Sequence, residues 1–86
     1  MEAAMKEALR ALAIAFPKAG FRYDAQADCL IAVGPSGSIL VGDPGRLGTE
    51  ALRWEATYGE EEVLAETPVR AVRLLCKRAA LNLEGV

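Results

Sequence analysis

The strongest nucleophiles in this chain are two cysteines, Cys29 and Cys76, and no histidine accompanies them. Ser-His and Cys-His pairs are therefore excluded, and with them the usual routes to an activated nucleophile. Both cysteines lie on predicted buried faces; Lys77 follows Cys76 in the chain but belongs to the basic stripe on the opposite side of the helix, so no cation is placed to lower a thiol pKa. They are far apart and form no C-x-x-C. The expected state is two reduced, buried thiols packing as small hydrophobes, and the sequence leaves open whether the two lie close in space. Zinc is disfavoured by the same count, because structural zinc sites take four Cys or His ligands.

The acids offer little more. Asp24 to Cys29, "DAQADC", begins with the D-x-x-x-D spacing of a calcium loop but lacks the glycine at its sixth position and the glutamate at its twelfth. Asp and small polar residues at that spacing predict a hairpin turn instead. "GPSGS", Gly34 to Ser38, has two glycines but no lysine and no helix after it, so it reads as a turn and not as a phosphate cradle. Glu60-Glu61-Glu62 could attract a basic partner, yet a strand would send Glu61 and Glu62 to opposite faces and disperse the cluster. No catalytic, cofactor-binding or metal-ligating residue is assigned. The expectation is a protein that is not an enzyme and needs no cofactor.

One charged pattern remains. Arg70, Arg73 and Lys77 recur at helical spacing with Arg78 beside them, forming a basic stripe opposite an apolar one. Over the whole chain ten basic residues face twelve acidic ones, a formal charge of −2. Nucleic-acid binders usually carry a basic excess, since phosphate contacts supply much of their affinity. The four residues are thus the candidate nucleic-acid contact of an alternative reading, and otherwise a solvated face with cations near a helix C-terminus, where the helix dipole favours them.

These residues must be placed by elements legible in the sequence. At 86 residues, 52% of them hydrophobic and 26% charged, the chain 1–86 is expected to form one domain with a small core. Met5, Leu9, Leu12 and Phe16 form one helical stripe, which predicts a helix over 1–16 ended by Pro17 and Gly20. Its last turns, "ALAIAF", are apolar on every side, a pattern that calls for cover on more than one face. Glu2, Lys6, Glu7 and Arg10 interrupt the apolar run, unlike a secretory signal, and no stretch approaches the ~18 apolar residues of a membrane span. A cytoplasmic location without membrane contact is expected.

"FRYD", "CLIAV" and "ILV" then predict a three-stranded antiparallel meander, with the continuous run Cys29 to Val33 covered on both faces or placed centrally. A short helical turn capped by Thr49 is an open alternative within residues 44–52. Leu52, Trp54, Ala56 and Tyr58 alternate with Arg53, Glu55 and Thr57, as in a half-buried strand. Gly59-Glu60 fits a type II′ turn. Folding there sets Trp54 against Ala65, Ala56 against Val63, Thr57 against Glu62 and Arg53 against Glu66. Thr67-Pro68 supplies a cap and a first-turn proline for a last helix, with a buried stripe of Val69, Val72, Cys76, Ala79, Ala80 and Leu83 and a stop at Gly85. The expected fold is α+β: an antiparallel sheet, made of a three-stranded meander plus a C-terminal hairpin, with the N- and C-terminal helices packed on one face.

Helix, meander and basic final helix in that order resemble a double-stranded RNA-binding domain. The resemblance implies phosphate contacts from the start of the last helix and from a sheet loop. Thr67-Pro68-Val69 stand where that family has a lysine-rich helix start, and the extra hairpin departs from its pattern. The element order is similar also to that of small secretion chaperones, which implies a dimer that binds client segments. The preferred reading is a protein–protein interaction or chaperone/adaptor-like module acting as a homodimer. Its candidate interface residues are Ile14 and Ala15 at the apolar helix end, Leu64 among charges, and the pair Arg53 and Glu66. The physiological partner is not encoded legibly.

Overall fold

The computed structural model describes residues 2–34, 37–43 and 54–83. In chain order these form α1 (Ala3–Ala15), β1 (Arg22–Asp24), β2 (Cys29–Gly34), β3 (Gly37–Gly42), β4 (Trp54–Tyr58), β5 (Glu61–Ala65) and α2 (Pro68–Ala79). The five strands make one antiparallel sheet in the order β1-β2-β3-β4-β5. Both helices lie on one face, α1 against β2 and α2, and α2 against β3, β4 and β5. The two-layer α+β fold expected from the sequence is the fold found. The Thr49 helical turn and the Arg53–Glu66 pairing lie outside the described residues.

Local chemistry accounts for most boundaries. Proline ends α1, since it follows the cap residue Phe16 and cannot extend the ladder. The β1–β2 turn is closed by two side chains, with the amide of Gln26 donating to Asp24 Oδ1 (3.0 Å) and the Tyr23 hydroxyl to Asp28 Oδ1 (2.7 Å). That second bond, together with burial and the nearby carboxylates, raises the Tyr23 pKa. The β4–β5 hairpin has the expected register, from Tyr58 opposite Glu61 to Trp54 opposite Ala65. Gly59 has φ +62° while Glu60 keeps a negative φ, as a type II′ turn requires.

The core lies between the helices and the sheet: Leu12 and Phe16 from α1, Leu30, Ile39 and Val41 from the sheet, and Val72 and Leu75 from α2. One sequence expectation is met and another needs correction. Strand β2 lies inside the sheet, between β1 and β3, and among the described residues it is covered on one face only. Leu30 and Ala32 are buried, Cys29 and Ile31 are half-buried, and Val33 is 76% exposed. A continuous apolar run carries no alternation to show which face is open. The buried face of α2 is set by Ala71, Val72 and Leu75, with Val69 and Cys76 beside them. The helix stops at Ala79, and Ala80 is exposed in the left-handed region (φ 57°, ψ 40°).

The stop is a Schellman motif. The amide of Leu81 donates to the Cys76 carbonyl at 2.8 Å, and the turn lays Leu81 and Leu83 back against the core. Burial of those leucines overrides the helical stripe that would have run on to Leu83. An alanine in the left-handed region carries a penalty of about 1–2 kcal/mol, whereas glycine loses more freedom on folding. Ala80→Gly is therefore expected to stabilise the protein by about 0.5–1 kcal/mol, read as a higher urea midpoint at unchanged slope.

Candidate functional sites on the sheet and the second helix

The open face of the sheet is built by register. One row across all five strands reads Arg22–Ile31–Leu40–Thr57–Glu62. A second contains Asp24 and Cys29 at one side and Glu55 and Leu64 at the other, with Gly42 paired to Glu55 between them. Val33 and Ser38 add a third pair. The face thus has an apolar middle, with Val33 76% and Leu40 39% exposed, and charges toward its two edges, where Leu64 of the edge strand β5 is also 37% exposed.

Strand period explains the arrangement, because every second residue of each strand points away from the helices. Cys29 lies on this face, half-buried rather than fully buried as expected, while Cys76 sits on α2 on the opposite side of the sheet. Neither thiol is in a disulfide, and both are half-buried. Burial, followed by the charges of Asp24 and Asp28, raises the Cys29 pKa, which keeps it a protonated, weakly nucleophilic thiol.

Glu55 and Glu62 are diagonal neighbours on the same face. Burial holds the Glu55 carboxyl above the usual carboxylate value, and a hydrogen bond with Glu62 and that residue's charge push it further in the same direction. Folded Glu55 therefore keeps its proton to higher pH than the unfolded group at 4.5. Its favourable contribution is complete below pH 4.5 and is lost as pH rises through the raised pKa. Glu55→Gln is expected to flatten the rise in stability on acidification from neutral pH and to add about 0.5 kcal/mol at pH 7. Urea melts at several pH values would show it.

The four cations of α2 are all exposed, but packing divides them. The guanidinium carbon of Arg73 lies 5.7 Å from the centre of the Phe16 ring, toward α1. Arg78 donates to the backbone carbonyl of Glu62 on β5 at 3.2 Å. Arg70, Lys77 and Arg78 flank Leu74, which is 38% exposed, and together with β5 they line two grooves of about 420 and 440 Å³. Leu64 and Leu74 line both. No acidic residue occurs in α2, so every charge on the helix wall of these grooves is positive, while Glu62 and Glu66 line the β5 side.

The sequence-based interface residues separate in space. Ile14 is 75% exposed at the end of α1, and Ala15 is half-buried against the core. Leu64 is on the open face, Glu66 is exposed just past β5, and Arg53 lies outside the described residues. Sequence reasoning missed Val33, Leu40 and Leu74, since nothing in "CLIAV", "ILV" or "RLLCKR" shows which leucine or valine the fold leaves outside.

Another groove, about 390 Å³, runs between α1, the start of β4 and the start of α2, lined by Ala4, Ala8, Ala11, Trp54 and Pro68. Trp54 is thus partly exposed beside small residues rather than fully in the core. Among the described residues no three His, Cys, Asp or Glu side chains converge as metal ligands, and no helix is long and apolar enough to cross a membrane. Comparison with protein-family models, with curated proteins and with solved structures returns no match.

Proposed function

We propose that this chain is a non-catalytic protein-interaction module that acts as a homodimer, with the open sheet face as its self-association surface. One observation carries the reading: the row Arg22–Ile31–Leu40–Thr57–Glu62 has a cation at one edge, an apolar centre and an acid at the other edge, beside the exposed Val33. Such a row is self-complementary. Two copies stacked face to face about a two-fold axis parallel to the strands bring β1 of each over β5 of the other, with Arg22 opposite the second copy's Glu62. An isologous interface needs that kind of self-matching. Face-to-face sheets about 10 Å apart interdigitate their inner side chains, here Ile31, Val33 and Leu40. A core this small also benefits from an added layer.

Sedimentation equilibrium tests the proposal. The wild type is expected to show a dimer mass and Val33→Asp a monomer mass with an unchanged circular dichroism spectrum. Arg22→Glu should weaken the dimer and Arg22→Glu/Glu62→Arg restore it. A monomer mass for the wild type at the highest soluble concentration ends the proposal.

A second reading, a double-stranded nucleic-acid-binding module, is favoured by the acid-free α2 with Arg70, Arg73, Lys77 and Arg78 exposed. Labelled duplex RNA and DNA should then bind with an affinity that falls steeply with salt. No retention at low salt removes this reading.

A further inference from the structure

The grooves between α2 and β5 share a floor that neither helices nor open faces provide. Among the described residues β5 is the last strand of the sheet, and no strand pairs with its outer side. In an antiparallel ladder a residue directs its N–H and C=O to the same side, and successive residues alternate. Arg78 bonds the Glu62 carbonyl from outside. Glu62 and Leu64 therefore direct their backbone groups outward, and Glu61, Val63 and Ala65 direct theirs to β4. The outer side thus presents a short row of donors and acceptors spaced for an extended backbone, with the Arg78 guanidinium holding one acceptor in the manner by which charged side chains shield a sheet edge.

The walls of this row differ. The helix wall is Leu74 with Arg70, Lys77 and Arg78, and carries no acid. The opposite wall is the open-face side of β5, where Leu64 is partly exposed beside Glu62, with Glu66 just past the strand, so carboxylates of an added strand are directed to the α2 wall and not to this one. A strand added here would alternate its side chains between the two walls. Those facing α2 would meet cations around one leucine, and those on the other side would lie beside Leu64.

We infer that the outer edge of β5 is a docking site for an extended acidic segment of another protein, which joins the sheet as a sixth strand with its carboxylates toward α2. This deepens the protein-interaction reading and rests on it; the main-chain edge of β5 and the α2 wall lie outside the stacked faces, and only the Leu64 side is shared with them. Charge selects the occupant. A second copy paired β5 to β5 would set two acid-free, cationic α2 helices beside each other, whereas an acidic strand neutralises that wall. Main-chain hydrogen bonds would supply affinity and the alternating walls would supply selectivity. The Arg78–Glu62 bond would open on docking and free Arg78 for a carboxylate.

Fluorescence anisotropy tests this with a fluorescein-labelled eight-residue peptide alternating glutamate and valine, beside a version alternating lysine and valine. The acidic peptide is expected to bind and the lysine peptide not. N-methylation of its alternate amides should weaken binding about ten-fold or more by removing ladder donors. Leu74→Glu and Lys77→Glu should each weaken it about five-fold or more. Both residues are exposed, and unchanged circular dichroism verifies their fold. Val33→Asp, on the open face, should leave peptide binding intact whatever it does to the dimer mass, so failure of dimerisation and failure of edge docking are read separately. Absence of acidic-peptide binding, equal binding of the lysine or N-methylated peptides, or insensitivity to both α2 variants overturns the inference. So does displacement of the peptide by a scrambled peptide of equal charge at equal strength. Salt-sensitive binding of duplex RNA in place of the peptide assigns the surface to nucleic acid instead.

Discussion

Phe16→Ala is expected to destabilise the fold by about 3–5 kcal/mol, the largest single effect among these substitutions. Phe16 is 2% exposed, although it lies at the end of α1 and not in its middle. Its ring centre is 6.3 Å from that of Phe21, tilted by 55°, and Arg73 of α2 covers one side. One side chain thus joins the end of the first helix, the entry to the sheet and the second helix. Truncation would remove the aromatic pair, leave a void in the core, and take away the ring beneath the Arg73 guanidinium. Domains of this size have a net stability of only a few kcal/mol, so Phe16→Ala should be largely unfolded at 37 °C by circular dichroism. Phe16→Leu, which keeps most of the volume, should be folded with a lower midpoint. A fully folded Phe16→Ala protein would show that the three elements are held together elsewhere.

Gly34→Val is expected to cost about 2–3 kcal/mol, an overpacking effect, and to be partly rescued by Tyr58→Ala. Gly34 ends β2 and pairs with Gly37 at the start of β3. The ring of Tyr58, from β4, leans across both. A Cβ built on Gly34 would stand 2.7 Å from Tyr58 Cε1 and 3.2 Å from the Gly37 carbonyl oxygen, and one on Gly37 would stand 4.0 Å from the same ring carbon. The pair of glycines makes a flat bed for the ring, a device by which aromatic side chains cover glycine in sheets. Valine would displace the ring, whereas the backbone oxygen has little room to yield. A double-mutant cycle of Gly34→Val and Tyr58→Ala by urea denaturation should give a coupling of about 1–2 kcal/mol. Strict additivity would mean that the ring is not what keeps position 34 a glycine.

Those glycines show how sequence and structure divided the information. Read along the chain, "GPSGS" was explained by its turn, and that explanation needs only local chemistry. The demand for a small residue at Gly34 comes from a tyrosine 24 positions later, and no local rule reaches that far. The same holds for Ala80. Nothing in "CKRAALNL" marks an alanine for the left-handed region, and the helix stops there because Leu81 and Leu83 gain more from folding back on the core than from extending the helix.

Where two levels of rule agreed, the sequence sufficed. The β4–β5 hairpin was legible to the residue because turn chemistry at Gly59-Glu60 and the period-two pattern from Trp54 to Ala65 specified one register, and a slip by one residue would reverse a strand's faces. The Thr67 cap, which accepts from the Arg70 amide at 3.1 Å, and Pro68 marked the start of α2 in the same way. Helix–meander–hairpin–helix order, the antiparallel sheet and helices on one face followed from these local signals.

The candidate surfaces were less legible. The basic residues of α2 formed one stripe in sequence, but packing turned Arg73 toward Phe16 and set Arg70, Lys77 and Arg78 over the edge of β5. The apolar run Cys29 to Val33 concealed its open side, because residue type separates faces only where polar residues alternate with apolar ones. The sequence by itself determined the elements, their order and the hairpin register, since short-range turn, cap and period rules act within a few residues. Which apolar side chains remain outside, and which charges stand beside them, was decided only by the tertiary structure, because exposure depends on what other segments cover.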